Sequence, residues 1–309
     1  MPKQKILVIV GPTAVGKTDL SLGAARELSA EIISADSMQV YRGMDIGTAK
    51  PSPEERQEIP HHLLDVVDPD QNFNVADYVA LAEEILADLE KRDVVPLLTG
   101  GTGLYINALI DGFLFPDPQP DLQLRARLEK GGREDPEGLF QKLEQVDPTS
   151  AKRIHPNDLR RIIRALEVYL RTGDPISVLQ RKKAREERPY RPVYIGLNRN
   201  RSELYERINK RVDRMLEAGL VEEVQRLITT YPKQPTALQA LGYKEIVRYL
   251  KGELDLLEAV EILKRDTRRY AKRQLSWFRS NKKIQWHNLS KTSPPELITH
   301  ICRQWKATV

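Results

Sequence analysis

The order of apolar and polar positions along the chain predicts strands alternating with helices. Lys5-Ile6-Leu7-Val8-Ile9-Val10 is a short, continuous, β-branched run, the pattern of a buried strand. Gly11 to Thr18 reads as a glycine-containing loop, and Leu20 to Leu28 as a helix. Glu31-Ile32-Ile33-Ser34 is a second short strand, ending at Ala35-Asp36-Ser37. Residues 42–74 read as irregular connections punctuated by Gly43, Gly47, Pro51, Pro53, Pro60 and Pro69. From Val75 to Lys91, the residues Val75, Tyr78, Val79, Ala82, Ile85, Leu86 and Leu89 recur on one side of an amphipathic helix. Val94 to Leu98 is a third strand, running into Thr99-Gly100-Gly101-Thr102-Gly103. This alternation predicts an α/β fold, a parallel sheet with helices on both faces.

The pattern changes at Phe115-Pro116-Asp117-Pro118-Gln119-Pro120, where closely spaced prolines break any regular element. From 121 to 190 the periodicity is helical and charged, with no strand candidate. Val193-Tyr194-Ile195-Gly196-Leu197 then reads as one more strand of the first sheet. The expected organisation is a core of residues 1–118 and 192–309 interrupted by a helical insertion at 119–191. Three further helical stretches are expected at 201–229, 236–250 and 254–282.

Composition narrows the class. Of 309 residues, 40% are hydrophobic and 30% charged, which is the balance of a folded globular chain. The one cysteine, Cys302, rules out an internal disulfide. No apolar run is long enough for a signal peptide or a spanning helix, so a cytoplasmic protein with no membrane partner is expected, as a monomer. The formal net charge of +5 hides an asymmetry: residues 1–120 hold 9 Lys+Arg against 19 Asp+Glu, and the remainder 40 against 25. Basic clusters of this kind bind nucleic acid or anionic lipid when they are not merely solvated helix faces.

Gly11-Pro12-Thr13-Ala14-Val15-Gly16-Lys17-Thr18 matches the phosphate-loop pattern G-x-x-x-x-G-K-[ST], and it lies between a strand and a helix. The two glycines let backbone N–H groups turn onto phosphate oxygens, and the following helix points its positive end at the same anion. Lys17 adds a point charge and Thr18 offers a hydroxyl to Mg²⁺. The third strand ends without an acid, so Asp36 is the one carboxylate at a strand end. The loop, Asp36 and Thr102 all fall at the carboxyl edge of the sheet, where ligands of open α/β sheets bind. A turn or cap would also explain Asp36 and Thr102. From these residues alone, an ATP-dependent small-metabolite kinase and a nucleotide-gated RNA-binding module both remain open.

These residues resemble the tRNA dimethylallyltransferase family, also called tRNA isopentenyltransferases. The matching stretches are the phosphate loop, Asp36-Ser37-Met38-Gln39-Val40-Tyr41-Arg42, Asp45-Ile46-Gly47-Thr48-Ala49-Lys50-Pro51 and Gly100-Gly101-Thr102-Gly103-Leu104-Tyr105. Further on are Asn157-Asp158 with Arg160-Arg161-Ile162-Ile163-Arg164, Arg207-Ile208 with Arg211, Leu241-Gly242-Tyr243-Lys244-Glu245, and Lys272-Arg273-Gln274 with Trp277-Phe278-Arg279. No Cys/His pairs stand at zinc spacing, so the chain looks like the bacterial, finger-free form.

The resemblance implies transfer of a dimethylallyl group from dimethylallyl diphosphate to N6 of the adenine just 3′ of the anticodon, in tRNAs reading codons that begin with U. Diphosphate is released, and Mg²⁺ is the expected cofactor. Asp36, Thr102 and Arg211 are then the expected catalytic residues, with Gly11 to Thr18 and Arg207 holding the diphosphate. Arg207, Arg211 and Arg214 share a face beside the stripe Leu204, Ile208, Val212, Met215 and Leu216, which places Arg211 nearest the apolar edge. The expected contacts to the anticodon stem-loop are Asp36, Ser37, Met38, Gln39, Thr102, Arg125, Arg160, Arg161, Arg164, Gly242, Tyr243, Lys244, Lys272, Arg273, Gln274, Trp277 and Arg279. Two basic stretches support an RNA partner: residues 151–191 hold 12 Lys+Arg against 5 Asp+Glu, and residues 261–290 hold 9 against 2, with Tyr270 and Trp277 interleaved. Adjacent His61-His62 point different ways and read as structural; Cys302 reads as inert, and Trp286 and Trp305 as packing.

Overall fold

A computed structural model describes residues 3–112, 121–183, 188–233 and 236–307. The chain divides into two compact units, one of residues 1–73, 77–106 and 189–309, the other of 74–76 and 107–188. The expected proline-rich boundary at 115–120 lies outside the described residues. In chain order the elements run β1 (Gln4–Val10), α1 (Lys17–Leu28), β2 (Ala30–Ser34), α2 (Pro53–Glu58), β3 (His61–His62), α3 (Val75–Lys91), β4 (Val95–Gly100) and α4 (Gly103–Asp111). Five helices follow: α5 (Leu122–Glu134), α6 (Pro136–Val146), α7 (Pro148–Ala151), α8 (Leu159–Thr172) and α9 (Ile176–Lys183). The chain then returns through β5 (Tyr190–Asn198), α10 (Arg201–Glu217), α11 (Leu220–Thr230), α12 (Tyr243–Leu250), α13 (Leu256–Arg279), β6 (Gln285–Asn288) and α14 (Pro294–Ala307).

The larger unit is built on one six-stranded sheet in the order β3-β2-β4-β1-β5-β6. Every pairing is parallel, with Leu7 opposite Leu97 on one side and Val193 on the other. β1 is central, which is why its run from Ile6 to Val10 is fully buried rather than alternating. Helices cover the sheet through a cluster that includes Ile9, Leu20, Ile32, Ile195, Leu204, Ile208 and Ala271. A second cluster packs the connection after β2 against the later helices, through Tyr41, Met44, Val212, Val224, Leu227, Tyr243 and Ile246. The helical unit has its own core, with Leu139, Leu143, Ile162, Leu166 and Ile176.

Several boundaries differ from those the pattern predicts. The first helix begins at Lys17, inside the phosphate-loop motif rather than after it. The stretch 201–229 is two helices, because Gly219 at φ 95° leaves right-handed helical space between α10 and α11. The 236–250 stretch is a 3₁₀ turn at Ala237–Gln239 followed by α12, and 254–282 shortens to α13. Residues 42–74 contain α2, whose Ser52 and Glu55 form a reciprocal cap, and the short strand β3. α4, β6 and α14 have no counterpart in the predicted elements.

Candidate active site at the carboxyl edge of the sheet

β1, β2 and β4 end at one edge and deliver three connections there: Gly11 to Gly16, Ala35 to Gln39, and Gly101 to Thr102. The first is the phosphate loop, capped onto α1 at Gly16. Lys17 Nζ donates to the Gly11 and Pro12 carbonyls at 3.0 and 2.9 Å. Burial, then the neighbouring Arg211 cation, push the Lys17 ammonium down to about 8, against the opposing pull of Asp36. Burial lowers Arg211 also, and Asp36 again acts the other way. Arg207 donates through Nε to the Ala14 carbonyl at 2.9 Å, and Arg199 to that of Val15 at 2.9 Å. Both guanidiniums thus hold the loop's backbone. Thr18 is exposed in the first turn of α1.

Asp36 sits directly after β2. Its Oδ1 accepts the Met38 N–H at 2.9 Å, a turn that fixes the carboxylate. The Ser37 N–H donates to Thr102 Oγ1 at 3.0 Å, and the Thr102 N–H to the Ala35 carbonyl at 3.0 Å. Burial raises the hydroxyls of Tyr105 and Tyr270 well above the usual range, with Tyr41 and then Asp36 adding to it at Tyr105 and Asp36 at Tyr270, so both stay protonated. The Asp36 charge is thus felt by Lys17, Arg211 and two neutral phenols.

The Gln39 side chain is spent internally. It accepts from Ser34 Oγ at 2.9 Å and donates to the Thr48 and Ala49 carbonyls at 3.3 and 3.4 Å. Arg211 Nη2 donates to the same Thr48 carbonyl at 3.3 Å. The segment before Thr48 is held by Glu223, which accepts the N–H groups of Asp45, Ile46 and Gly47 at 3.0, 2.9 and 3.1 Å. The Tyr243 hydroxyl also donates to Glu223. Sequence reasoning missed Glu223. Its signal was an acid within the apolar stripe Leu220, Val224 and Leu227 of α11, a position that demands buried donors. A cavity of about 600 Å³ adjoins Arg211, with Ile46, Ala49, Pro51, Arg214 and Met215 among its walls.

A sequence profile described as IPP transferase matches residues 39–281. The chain belongs to the IPP transferase family. It is 53% identical over 287 residues to a tRNA dimethylallyltransferase of Halothermothrix orenii, covering 92% of this chain and 88% of that one. Its fold is similar to the crystal structure of a full-length tRNA isopentenylpyrophosphate transferase from Bacillus halodurans, with a TM-score of 0.74, 44% identity and coverage of 99% and 96%. It is also similar to a eukaryotic dimethylallyltransferase captured acting on tRNA, with a TM-score of 0.79, 28% identity and coverage of 98% and 77%.

The residues expected to meet RNA occupy different environments in this family member. On α13, Lys272, Arg273 and Arg279 are exposed, and Trp277 is 42% exposed with its ring seated over Gly103. The Arg273 guanidinium lies 5.7 Å from the centre of the Tyr270 ring. Gln274 is buried and bonded on both sides, to the Thr13 N–H and the Gly101 carbonyl. Tyr243 is also buried, and its hydroxyl serves Glu223 instead of an RNA surface. Gly242 is buried at the start of α12, while Lys244 lies half-exposed beside Glu245. In the helical unit, Arg125 and Arg164 are ion-paired to the buried carboxylate of Glu167, with their own side chains 38% and 20% exposed. Arg161 pairs with Asp158 at the surface, and Arg160 is exposed.

Among the described residues no three acids, histidines or cysteines cluster at metal-binding distance. No described helix is long and apolar enough to cross a membrane.

Proposed function

We infer that this chain transfers the dimethylallyl group of dimethylallyl diphosphate to N6 of the adenine just 3′ of the anticodon, in tRNAs reading codons that begin with U. The observation that carries this reading is that β1 and β2 deliver the phosphate loop with Lys17, and Asp36, to one edge of the sheet, in a chain of the IPP transferase family. The relatives are a tRNA dimethylallyltransferase and a tRNA isopentenylpyrophosphate transferase, which sets the small-metabolite kinase aside.

The chemistry divides between the two charges. The bond between the allylic carbon and the diphosphate oxygen breaks, and negative charge grows on the leaving group. Lys17, Arg211 and the N–H groups of the loop stabilise that charge more in the transition state than before it. The N6–carbon bond forms, and Asp36 takes the proton that N6 gives up. The adenine leaves the stack of the anticodon loop to reach the sheet edge, which a single-stranded loop allows at modest cost. The cavity beside Arg211 combines apolar walls from Ile46, Ala49, Pro51 and Met215 with the cations of Lys50, Arg56, Arg211 and Arg214, beside the carboxylates of Asp45 and Asp65, a mixed lining that offers an allylic diphosphate both apolar and cationic contacts.

The donor set also fits Mg²⁺. Thr18, exposed in the first turn of α1 after the phosphate loop, would offer its hydroxyl to the ion. Such an ion would supply charge neutralisation on the leaving group. In the helical unit Arg160 is exposed, and with Lys272, Arg273, Trp277 and Arg279 on α13 it is placed here as a phosphate or stacking contact to the anticodon stem-loop.

The test incubates the chain with Mg²⁺, dimethylallyl diphosphate and bulk tRNA, then weighs the digested nucleosides. Adenosine carrying one added dimethylallyl group is expected. Unmodified nucleosides, or phosphate transferred from ATP to a small acceptor, would overturn the reading.

A further inference from the structure

Gln274 joins three elements of the larger unit through one side chain. Its Oε1 accepts the N–H of Thr13 in the phosphate loop at 2.9 Å, and its Nε2 donates to the Gly101 carbonyl after β4 at 3.0 Å. The residue is 6% exposed. Its approach is close enough that a Cβ on Gly101 would lie 2.2 Å from Nε2, so a larger residue there would displace the Gln274 amide from its two partners. Tyr270 and Trp277 stand near Gln274 on the same helix, one turn before and one after. Lys272, Arg273 and Arg279 project from the exposed side of that helix.

We propose that Gln274 is a positioning residue that couples RNA on the outer face of α13 to the geometry of the phosphate loop. The inference rests on the proposed prenyl transfer to tRNA. A primary amide is suited to the role because it makes two directed bonds at a fixed separation. An apolar side chain of the same size would fill the space but let α13 slide against the loop. RNA phosphates gripping Lys272, Arg273 and Arg279 fix the axial position and rotation of α13. Gln274 then fixes the Thr13 peptide, and with it the neighbouring N–H groups that face a diphosphate. Two ligands that each require the same ordering bind more tightly together than apart, and the effect is reciprocal.

The experiment measures binding without turnover. Inorganic diphosphate with Mg²⁺ is titrated calorimetrically into the full chain, with and without a saturating anticodon stem-loop RNA. The RNA is expected to tighten diphosphate binding about fivefold or more. In Gln274→Met the ratio is expected to fall close to one, while the affinity for RNA alone stays near parental. Hydrogen exchange on the parent protein gives a second readout that does not depend on the variant folding. Bound RNA is expected to slow exchange in the segment 11–18. A parental ratio of one, an unchanged ratio in Gln274→Met, or no slowing of that segment overturns the proposal. A parent that couples the two ligands yet makes no prenylated nucleoside contradicts the proposed reaction and leaves this coupling standing. A parent that makes product without coupling contradicts the coupling alone.

Discussion

The Thr102 hydroxyl accepts the backbone N–H of Ser37 at 3.0 Å, and so ties the turn after β4 to the turn after β2. A second bond, from the Thr102 N–H to the Ala35 carbonyl, closes the other side of Asp36. The carboxylate is thus held between two backbone anchors that meet at one residue. Orientation of this kind matters because a displacement of about 1 Å at a reacting group costs up to about 10²-fold in rate.

Thr102→Ala is therefore expected to slow single-turnover transfer by about 10- to 10²-fold. The loss of one part-buried hydrogen bond should cost only about 1 kcal/mol of stability. Thr102→Ser keeps the hydroxyl and should stay near the parental rate. Quench-flow measurement on the three proteins checks this, and equal rates in all three would show that the hydroxyl does not place Asp36.

Lys17 sets a pH dependence. Its ammonium is held down to about 8 by burial and by Arg211, against 10.5 when free. The unfolded chain keeps the proton between these values and the folded one does not, so stability should rise with pH from about 8 to about 10.5. An anionic donor favours the ammonium, so binding above about pH 8 requires proton uptake. Donor affinity should then weaken as pH climbs past that value, by at most about tenfold per unit. Lys17→Arg, which stays charged throughout, should remove the dependence. Calorimetry in buffers of different ionisation enthalpy reads the proton uptake directly, and uptake that is equal in parent and variant would count against Lys17.

Arginines from the two basic stretches should separate by assay. Arg164 donates to Glu167, whose side chain is fully buried, with Arg125 on the same carboxylate. Arg164→Ala is expected to lower stability by about 1.5–3 kcal/mol, the range for hydrogen bonds to a charged group. The exposed pair Lys272 and Arg273, replaced together, should leave melting nearly unchanged and reduce the log–log salt slope of tRNA binding by about 1 per lost contact. Thermal melts and salt-dependent binding on both variants check the division. A flat response of the slope to the Lys272 and Arg273 change would make that face a solvated one.

Four strands of the sheet, β1, β2, β4 and β5, were legible in the sequence because they are short, continuous apolar runs; β3 and β6, at the sheet edges, are too short and polar to read. The phosphate loop was legible because its chemistry demands fixed residue types at fixed spacing. The breaks at Gly219 and before α12 were not, since helical periodicity continues across them in sequence and only the backbone changes hand or tightens. Gln274, Tyr243, Arg125 and Arg164 could be picked out as residues of interest, but not given their posts. A polar side chain reads the same in sequence whether it faces RNA or another part of the protein, and the partners of Gln274 and Arg125 lie 261 and 42 residues away. Glu223 was missed for the same reason: its donors are backbone N–H groups 176 to 178 residues earlier, which carry no sequence signature.

The role of Asp36 is tested most directly by Asp36→Asn under single-turnover conditions. The change keeps the shape and the oxygen that accepts the Met38 N–H, and removes the proton acceptor beside Lys17 and Arg211. Loss of a general base costs about 10²–10⁴-fold. Transfer to tRNA is expected to fall by at least about 10²-fold, while affinities for tRNA and dimethylallyl diphosphate change by less than about tenfold, or ~1.4 kcal/mol. A variant that transfers the dimethylallyl group at the parental rate would contradict the account, and would send the proton from N6 to water or to the departing diphosphate.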